Sequence, residues 1–279
     1  MTRSIVLHIG APKAGSTFLQ RAMLRNRDRL ARYRIVYPHG GQNHPGNAGD
    51  LRVLDEPTFA RLFEGGARTV VLSHEDLFAR PADGRALARL ARQARVNLQV
   101  LCFLRPWSEF CAGDFSQHLK QHFDRYLIER CAFGGLDFEG MAEKRAREMN
   151  PVGFLGGWDA LCAGQVTLAS HRTIRDVVER TLGVTGLDWA MPRHLSNPSL
   201  RLADCEAIAA MMQDHSVPNE TIRQAFREAH HHTGDPDPAR GLDRMARIEA
   251  MFEAQNAGLL AARGFDNRAS AGAVLTAAG

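Results

Sequence analysis

The sequence predicts an α/β protein of three layers, in which helices cover both faces of a parallel sheet and a helical region follows at the C-terminus. Two observations support the sheet: short apolar runs recur at residues 5–9, 69–72 and 98–104, and segments with helical spacing separate them. A third observation supports the C-terminal region, because residues from about 200 to 268 are charged and largely of helical pattern.

The composition is that of a globular protein. Of 279 residues, 44% are hydrophobic and 24% charged, which predicts a single domain over residues 1–268, followed by a tail, 269–279, that we expect to be disordered. The net charge of +4 is too small and too scattered to indicate a nucleic-acid partner. We expect no membrane span, since no apolar run is long enough. Five cysteines without paired spacing predict reduced thiols, a cytoplasmic location and no metal site.

The first strand leads into a glycine turn and the start of a helix. Gly10 and Gly15 permit a tight turn, so the backbone amides that follow can point at a bound anion. The two glycines have the spacing of a nucleotide P-loop, but Ser16 stands where the lysine that reaches the β- and γ-phosphates would be. The lysine of this loop is Lys13, inside the turn, so ordinary triphosphate hydrolysis is disfavoured. The alternative interpretation is a strand-turn-helix corner without a ligand.

Residues 11–19, Ala-Pro-Lys-Ala-Gly-Ser-Thr-Phe-Leu, resemble the 5′-phosphosulfate-binding loop of sulfotransferases that use 3′-phosphoadenosine 5′-phosphosulfate (PAPS). The resemblance implies a P-loop-type sheet and a transfer that requires no metal. It also implies that Lys13 touches the sulfuryl group, while the residues after it hold the 5′-phosphate. The loop residues that the resemblance assigns to PAPS are Pro12, Lys13, Ala14, Gly15, Ser16, Thr17 and Phe18.

A second buried strand, at residues 69–72, is followed by polar residues at its carboxyl end. Ligands of open parallel sheets bind at this edge, so we expect these residues to face the same crevice as the glycine loop. The position resembles the Ser-Ser-Glu of many bacterial and carbohydrate-modifying sulfotransferases, which makes Glu75 the first candidate for the base that takes the acceptor's proton and His74 the second. Helix capping is the alternative, with Ser73 as the N-cap and Glu75 or Asp76 in the first turn.

The third strand, residues 98–104, ends in Arg105. The resemblance assigns this arginine to the 3′-phosphate of PAPS, and a guanidinium can bind phosphate through two parallel hydrogen bonds. The family usually has a serine about eight residues later as a second ligand, whereas this chain has Gly113. Ser116 or Ser108 could take the place of that serine, and we assign the role to Ser116.

Two further segments are candidates for the acceptor side. Residues 38–47, rich in Gly, His, Asn and Pro, are predicted to form a loop that could approach an acceptor. On the helix after the third strand, Asp114, Gln117, His118 and Lys120 either line the acceptor site or form an ordinary polar face.

Residues 192–200 resemble the Arg-x-Asn-x-Ser loop of the bacterial sulfotransferases. This likeness implies that Arg193 and Asn197 contact the phosphoadenosine. A simple turn before the next helix is the alternative.

The resemblance extends to about residue 200 and is to the bacterial, carbohydrate-type sulfotransferases. It implies in-line transfer of a sulfuryl group from PAPS to an acceptor hydroxyl or amine, on a carbohydrate or a glycolipid, with 3′-phosphoadenosine 5′-phosphate (PAP) as the product. The sequence leaves the acceptor and the oligomeric state open. The alternatives are a P-loop nucleotide kinase or NTPase, and a catalytically silent relative that binds PAPS or PAP.

Overall fold

The computed structural model describes residues 3–191, 197–268 and 274–275. The chain divides into two compact units. The first comprises Met1–Arg105, Asn150–Ser196 and Gly258–Gly279, and the second comprises Pro106–Met149 and Asn197–Ala257. That residues 1–268 fold as a single domain therefore stays a prediction.

The first unit contains the sheet. Its five parallel strands are β1 (Ser4–His8), β2 (Ile35–Val36), β3 (Thr69–Ser73), β4 (Asn97–Leu104) and β5 (Val166–Ser170). They lie side by side in the order β2-β3-β1-β4-β5, and a short β6 (Val274–Leu275) pairs antiparallel with β5. Of the tail that we expected to be disordered, the structure describes only these two residues of β6. The α/β prediction with a parallel sheet is confirmed, and the arrangement is consistent with a P-loop-type three-layer fold.

Helices make up most of the remaining described chain. In order they are α1 (Ser16–Arg25), α2 (Arg27–Arg32), α3 (Glu56–Arg61), α4 (Arg85–Gln93), α5 (Trp107–Glu129), α6 (Phe138–Glu148), α7 (Pro151–Cys162), α8 (Ile174–Leu182), α9 (Leu202–Gln213), α10 (Asn219–His231), α11 (Leu242–Ala250) and α12 (Glu253–Arg263). The four that follow residue 200 confirm the predicted helical C-terminal region.

The central strands are buried on both faces. In β1 and β3 the last four residues of each strand are buried without alternation, as in a sheet covered on both sides. Trp158 of α7 is fully buried, and its indole N–H donates to the carbonyl of Leu77 over 3.1 Å. Gly84 leaves room for this indole, because a Cβ at that position would lie 2.4 Å from the ring.

The strand register aligns the carboxyl ends of the sheet. His8 at the end of β1 is opposite Ser73 at the end of β3, and Leu104 at the end of β4 is opposite Ser170 at the end of β5. The residues that follow these strands therefore emerge at one edge, where open α/β sheets bind their ligands.

The second unit is helical and has an aromatic core of its own. Trp107 of α5 stacks on Phe252 with ring centroids 5.5 Å apart, and Phe138 of α6 packs edge-on against Phe115 of α5 at 5.5 Å. Arg244 of α11 joins the helices, because its guanidinium donates hydrogen bonds to carboxylates on both α6 and α9.

None of the helices that the structure describes has an apolar stretch of the length needed to span a membrane.

Candidate active site at the carboxyl edge of the sheet

The loop between β1 and α1 makes its turn with three left-handed residues. Their φ values are +39° at Gly10, +62° at Lys13 and +93° at Gly15. The N–H of Ala14 donates to the carbonyl of Ala11 over 3.2 Å, which closes the turn. Helix α1 then begins at Ser16 without a side-chain cap and without an acidic residue in its first turn. Its N-terminal amides and the positive end of its dipole can therefore receive an anion.

Gly10 and Ser16 are packed against each other inside the loop. A Cβ on Gly10 would lie 2.5 Å from the Ser16 hydroxyl oxygen and 2.9 Å from Cε1 of His8, so only glycine fits there. Ser16 is 3% exposed, and its hydroxyl has no hydrogen-bond partner among the described residues. A buried hydroxyl without a partner is costly, and an oxyanion held at the start of α1 would give it one.

A buried polar network lies beneath the loop. His8 is 1% exposed, and its Nδ1 lies 2.8 Å from the Ser73 hydroxyl, which also accepts a hydrogen bond from the Gln20 amide over 3.1 Å. Burial lowers the pKa of His8 from 6.5 to about 3, so its imidazole is neutral at physiological pH. We did not predict this network from the sequence, although polar residues at the ends of two buried strands indicate it.

Asn47 attaches the loop at residues 38–47 to the end of β3. Its side-chain amide donates to the carbonyl of Val71 over 3.0 Å, and its side-chain oxygen accepts from the Ser73 backbone N–H over 2.7 Å. The imidazole of His44, from the same loop, lies 5.7 Å from that of His74 between ring centroids. The loop predicted to approach an acceptor therefore lies beside the two candidate bases.

The structure distinguishes the two candidate bases. His74, and not Ser73, is the N-cap of the turn at Glu75–Leu77, because its Nδ1 accepts the Asp76 backbone N–H over 3.2 Å. The capping role that we considered for Ser73 is therefore wrong, since the Ser73 hydroxyl faces His8 and Gln20. When Nδ1 of a histidine accepts a hydrogen bond, its proton is on Nε2, so neither ring nitrogen of His74 has a free lone pair for the proton of an acceptor.

Glu75 is in a different position from His74. It is half-buried, and its carboxylate makes no hydrogen bond or ion pair with any other residue that the structure describes. Of the two candidates, Glu75 is thus the one with an available proton-accepting atom.

Arg105 contacts the glycine loop directly. Its Nη1 donates to the carbonyl of Lys13 over 2.7 Å, and its own carbonyl accepts the side-chain amide of Asn267 over 2.9 Å. Arg105 therefore lies at the backbone of Lys13, and the resemblance assigns both residues to the same co-substrate. The assignment of Arg105 to a 3′-phosphate stays a prediction.

The segment after β5 completes the surroundings of the loop. Ile174 packs against Gly15, since a Cβ added to Gly15 would lie 2.6 Å from Cδ1 of Ile174. The Phe18 ring stacks on Trp189 at 5.4 Å between centroids, and the guanidinium of Arg175 lies 5.5 Å from the same ring. Trp189 and Arg175 were not predicted from the sequence, because neither belongs to a local motif.

The remaining predicted ligands belong to the second unit or lie outside the described residues. Ser116 is 1% exposed, and its hydroxyl accepts the backbone N–H of Leu200 over 2.8 Å. Asn197 bonds two side chains of α5, accepting from Lys120 over 2.6 Å and donating to Gln117 over 3.2 Å. Both residues have structural partners in their own unit. Arg193 lies outside the described residues.

Comparison with protein-family models and with curated proteins finds no match to this chain. In the part of the chain that the structure describes, no group of three His, Cys, Asp or Glu side chains is arranged to hold a metal ion. Several features of the site determine its chemistry. These are an uncapped helix N-terminus, a buried hydroxyl and two cations at one loop, with a carboxylate after the neighbouring strand.

Proposed function

We propose that this protein is a PAPS-dependent sulfotransferase of the carbohydrate-modifying type. The observation that carries the proposal is the buried Ser16 hydroxyl, which has no hydrogen-bond partner among the described residues and lies at the uncapped start of α1. A phosphate oxygen bound there would supply that partner and would also complement the helix dipole. A lysine inside the turn instead of after Gly15 favours sulfuryl transfer over triphosphate chemistry.

In the proposed reaction, the oxygen or nitrogen of the acceptor attacks the sulfur of PAPS in line with the leaving phosphate oxygen. A new bond to sulfur forms, the bond between sulfur and the bridging oxygen breaks, and PAP leaves with the electron pair. Lys13 neutralises the charge that develops on the bridging and sulfuryl oxygens, and the first amides of α1 hold the 5′-phosphate. Glu75 accepts the proton of the acceptor.

The proposed acceptor is a hydroxyl or amine of a glycan or glycolipid. The support is the likeness of the segment Ser73-His74-Glu75 to carbohydrate-modifying sulfotransferases, together with the position of the loop at residues 38–47 next to it. Screening glycan acceptors with labelled PAPS and mass spectrometry would identify the acceptor.

The first experiment compares ligands by the thermal stability of the purified protein. PAP should raise the melting temperature more than ATP with magnesium, because the loop has no lysine after Gly15. Stronger stabilisation by ATP with magnesium would favour a kinase or NTPase and contradict the proposal.

The second experiment measures sulfation by the variant Lys13→Ala. We expect turnover to fall by about 10²- to 10³-fold, as when a charge-stabilising group is removed from an active site. Arg85→Ala on the exposed start of α4 is the control and should be as active as the wild type. Unchanged turnover in Lys13→Ala would refute the assignment, and binding of PAP without turnover on any acceptor would indicate a silent relative.

A further inference from the structure

The second unit contains a cavity of about 380 Å³, bounded by α5, α6 and the turn between them. Its volume is in the range of sites for small organic ligands. One part of the lining is aromatic, with Tyr126 and Phe133, and another is polar, with His118, His122 and Lys144. His118 is one of the α5 residues that we considered for the acceptor side, but no step of the sulfuryl transfer proposed above uses a residue of this cavity.

The aromatic wall of the cavity rests on a strained turn. Phe133, Gly134 and Gly135 are all left-handed, with φ values of +54°, +66° and +81°, and this conformation is rare for a bulky residue such as Phe133. The Phe133 ring is held in place by Phe115, at 3.8 Å between centroids, and by Tyr126, at 5.5 Å. These two aromatic contacts fix the position of the Phe133 ring and with it one wall of the cavity.

Arg145 fixes the polar part of the lining. Its Nε donates to Asp114 over 2.8 Å and its Nη1 to Glu148 over 3.0 Å, while its Nη2 lies 2.9 Å from Nε2 of His118. Because a guanidinium can only donate, Nε2 of His118 is the acceptor of that bond. This nitrogen is therefore not available to a metal ion, and the imidazole pair His118 and His122 does not form a metal chelate.

The other charged groups of the lining are loosely paired. Lys144 lies 3.9 Å from Glu148, and Arg125 lies 4.0 Å from Glu129, all four side chains being about half exposed. Ion pairs of this length and exposure contribute little, so Lys144 can turn toward an anion in the cavity, whereas the guanidinium of Arg125 also lies 5.2 Å from the centre of the Tyr126 ring. His122, which packs 5.6 Å from His118 between ring centroids, adds a group that can donate to the same anion.

We propose that this cavity binds a ring-sized organic acid, with its ring against Phe133 and Tyr126 and its acidic group facing Lys144 and His122. A six-membered ring that carries a carboxylate or sulfate has the required size and charge. The proposal is independent of the sulfuryl transfer, and its test contains no PAPS.

The test is isothermal titration calorimetry with three probes: glucuronate, benzoate and, as the neutral counterpart of glucuronate, glucose. We expect at least one acid to bind and glucose to bind far more weakly. Lys144→Gln and His122→Gln should each weaken binding of the acid about tenfold, the effect of losing one charge-assisted contact. Arg147→Gln is the matched control, because Arg147 lies on the same helix, is 71% exposed and pairs with Glu143 instead of lining the cavity.

The outcomes separate the possibilities. Tighter binding of glucuronate than of benzoate would identify a sugar acid as the ligand class, and the reverse would identify an aromatic acid. Binding of neither acid, equal binding of glucose and glucuronate, or unchanged affinity in both cavity variants would overturn the proposal. If a variant does not fold, proton NMR of the wild-type protein tests the proposal instead. The Cε1–H signals of His118 and His122 should shift when the acid is added.

Discussion

Two buried serines of this chain differ in what their hydroxyls contact. Ser116 is 1% exposed and accepts a backbone hydrogen bond from Leu200, whereas Ser16 is 3% exposed and has no partner among the described residues. The hydroxyl of Ser116 stabilises the second unit. The hydroxyl of Ser16 makes no such contact within the described residues, and we infer that its partner is a bound ligand.

The first prediction concerns this contrast. Ser16→Ala should leave the free energy of unfolding unchanged or raise it, and should weaken PAP binding about tenfold. Ser116→Ala should lower the free energy of unfolding by about 1 to 3 kcal/mol, because the buried N–H of Leu200 loses its acceptor. Urea unfolding and calorimetry measure the two quantities. A Ser16→Ala variant that is less stable but binds PAP normally would contradict the anion site.

The second prediction concerns the base. Glu75→Gln should lower kcat for sulfation by about 10²- to 10⁴-fold without changing the Kd of PAP, since general-base catalysis contributes this much. His74→Asn should have a much smaller effect, because asparagine can still cap the turn at Glu75–Leu77 by accepting from Asp76. If His74→Asn abolishes turnover and Glu75→Gln does not, the two roles are reversed.

At the scale of elements, the carboxyl ends of β1 and β3 are joined by side chains as well as by the sheet. His8 bonds Ser73, Gln20 of α1 bonds the same hydroxyl, and Asn47 bonds the backbone of β3. The glycine loop and the segment with Glu75 therefore share one buried support. We expect this support to keep the proposed anion site and the proposed base in a constant relative position.

The third prediction is a pH dependence of stability caused by His8. Burial holds its pKa in the folded protein at about 3, below its ordinary value of 6.5. Between these values the unfolded chain binds a proton that the folded protein does not, so stability is greatest above pH 6.5 and falls as the pH decreases toward 3. The slope from this one group is about 1.4 kcal/mol per pH unit.

Urea unfolding of the wild type and of His8→Asn over this pH range would measure that contribution. The variant should be less stable near neutral pH, where it loses the packing of the imidazole, but its stability should fall less steeply with decreasing pH. Equal slopes in the two proteins would show that His8 is not held neutral by the fold.

At the scale of the whole molecule, the five cysteines are free thiols, as the sequence predicted. Four of them, Cys102, Cys111, Cys162 and Cys205, are buried, and Cys131 is half-buried. Burial raises the pKa of Cys162 to about 11 and that of Cys205 to about 12, and raises the pKa values of Cys102 and Cys111 further. These four thiols are therefore protonated and shielded from reagents at neutral pH.

The fourth prediction is a labelling pattern that reports on both units together. A thiol reagent should modify Cys131 first in the native protein and all five cysteines after denaturation. Mass spectrometry of peptides after brief labelling would identify the sites. Cys131→Ser should abolish the fast phase, whereas fast labelling of Cys102, in the middle of β4, would contradict the packing of the sheet.

The sequence by itself determined the features that depend on neighbouring residues. Unbroken apolar runs predicted β1, β3 and β4, and the glycines around Lys13 predicted the turn before α1, because burial on two faces and left-handed backbone leave local patterns. The same local reading located the candidate bases but could not distinguish them. The alternative that Ser73 caps the turn is wrong, because its hydroxyl contacts His8 and Gln20, which are distant in the chain and leave no local signal.

Only the tertiary structure decided which of these residues meet. The bond between His8 and Ser73 joins residues 65 positions apart, and that between Arg105 and the Lys13 carbonyl joins residues 92 positions apart. The burial of Ser16 against Gly10, the contact of Trp189 with Phe18 and the aromatic wall of the second unit likewise follow from strand register and helix packing. Such contacts are set by the global arrangement of the elements, which local spacing does not encode.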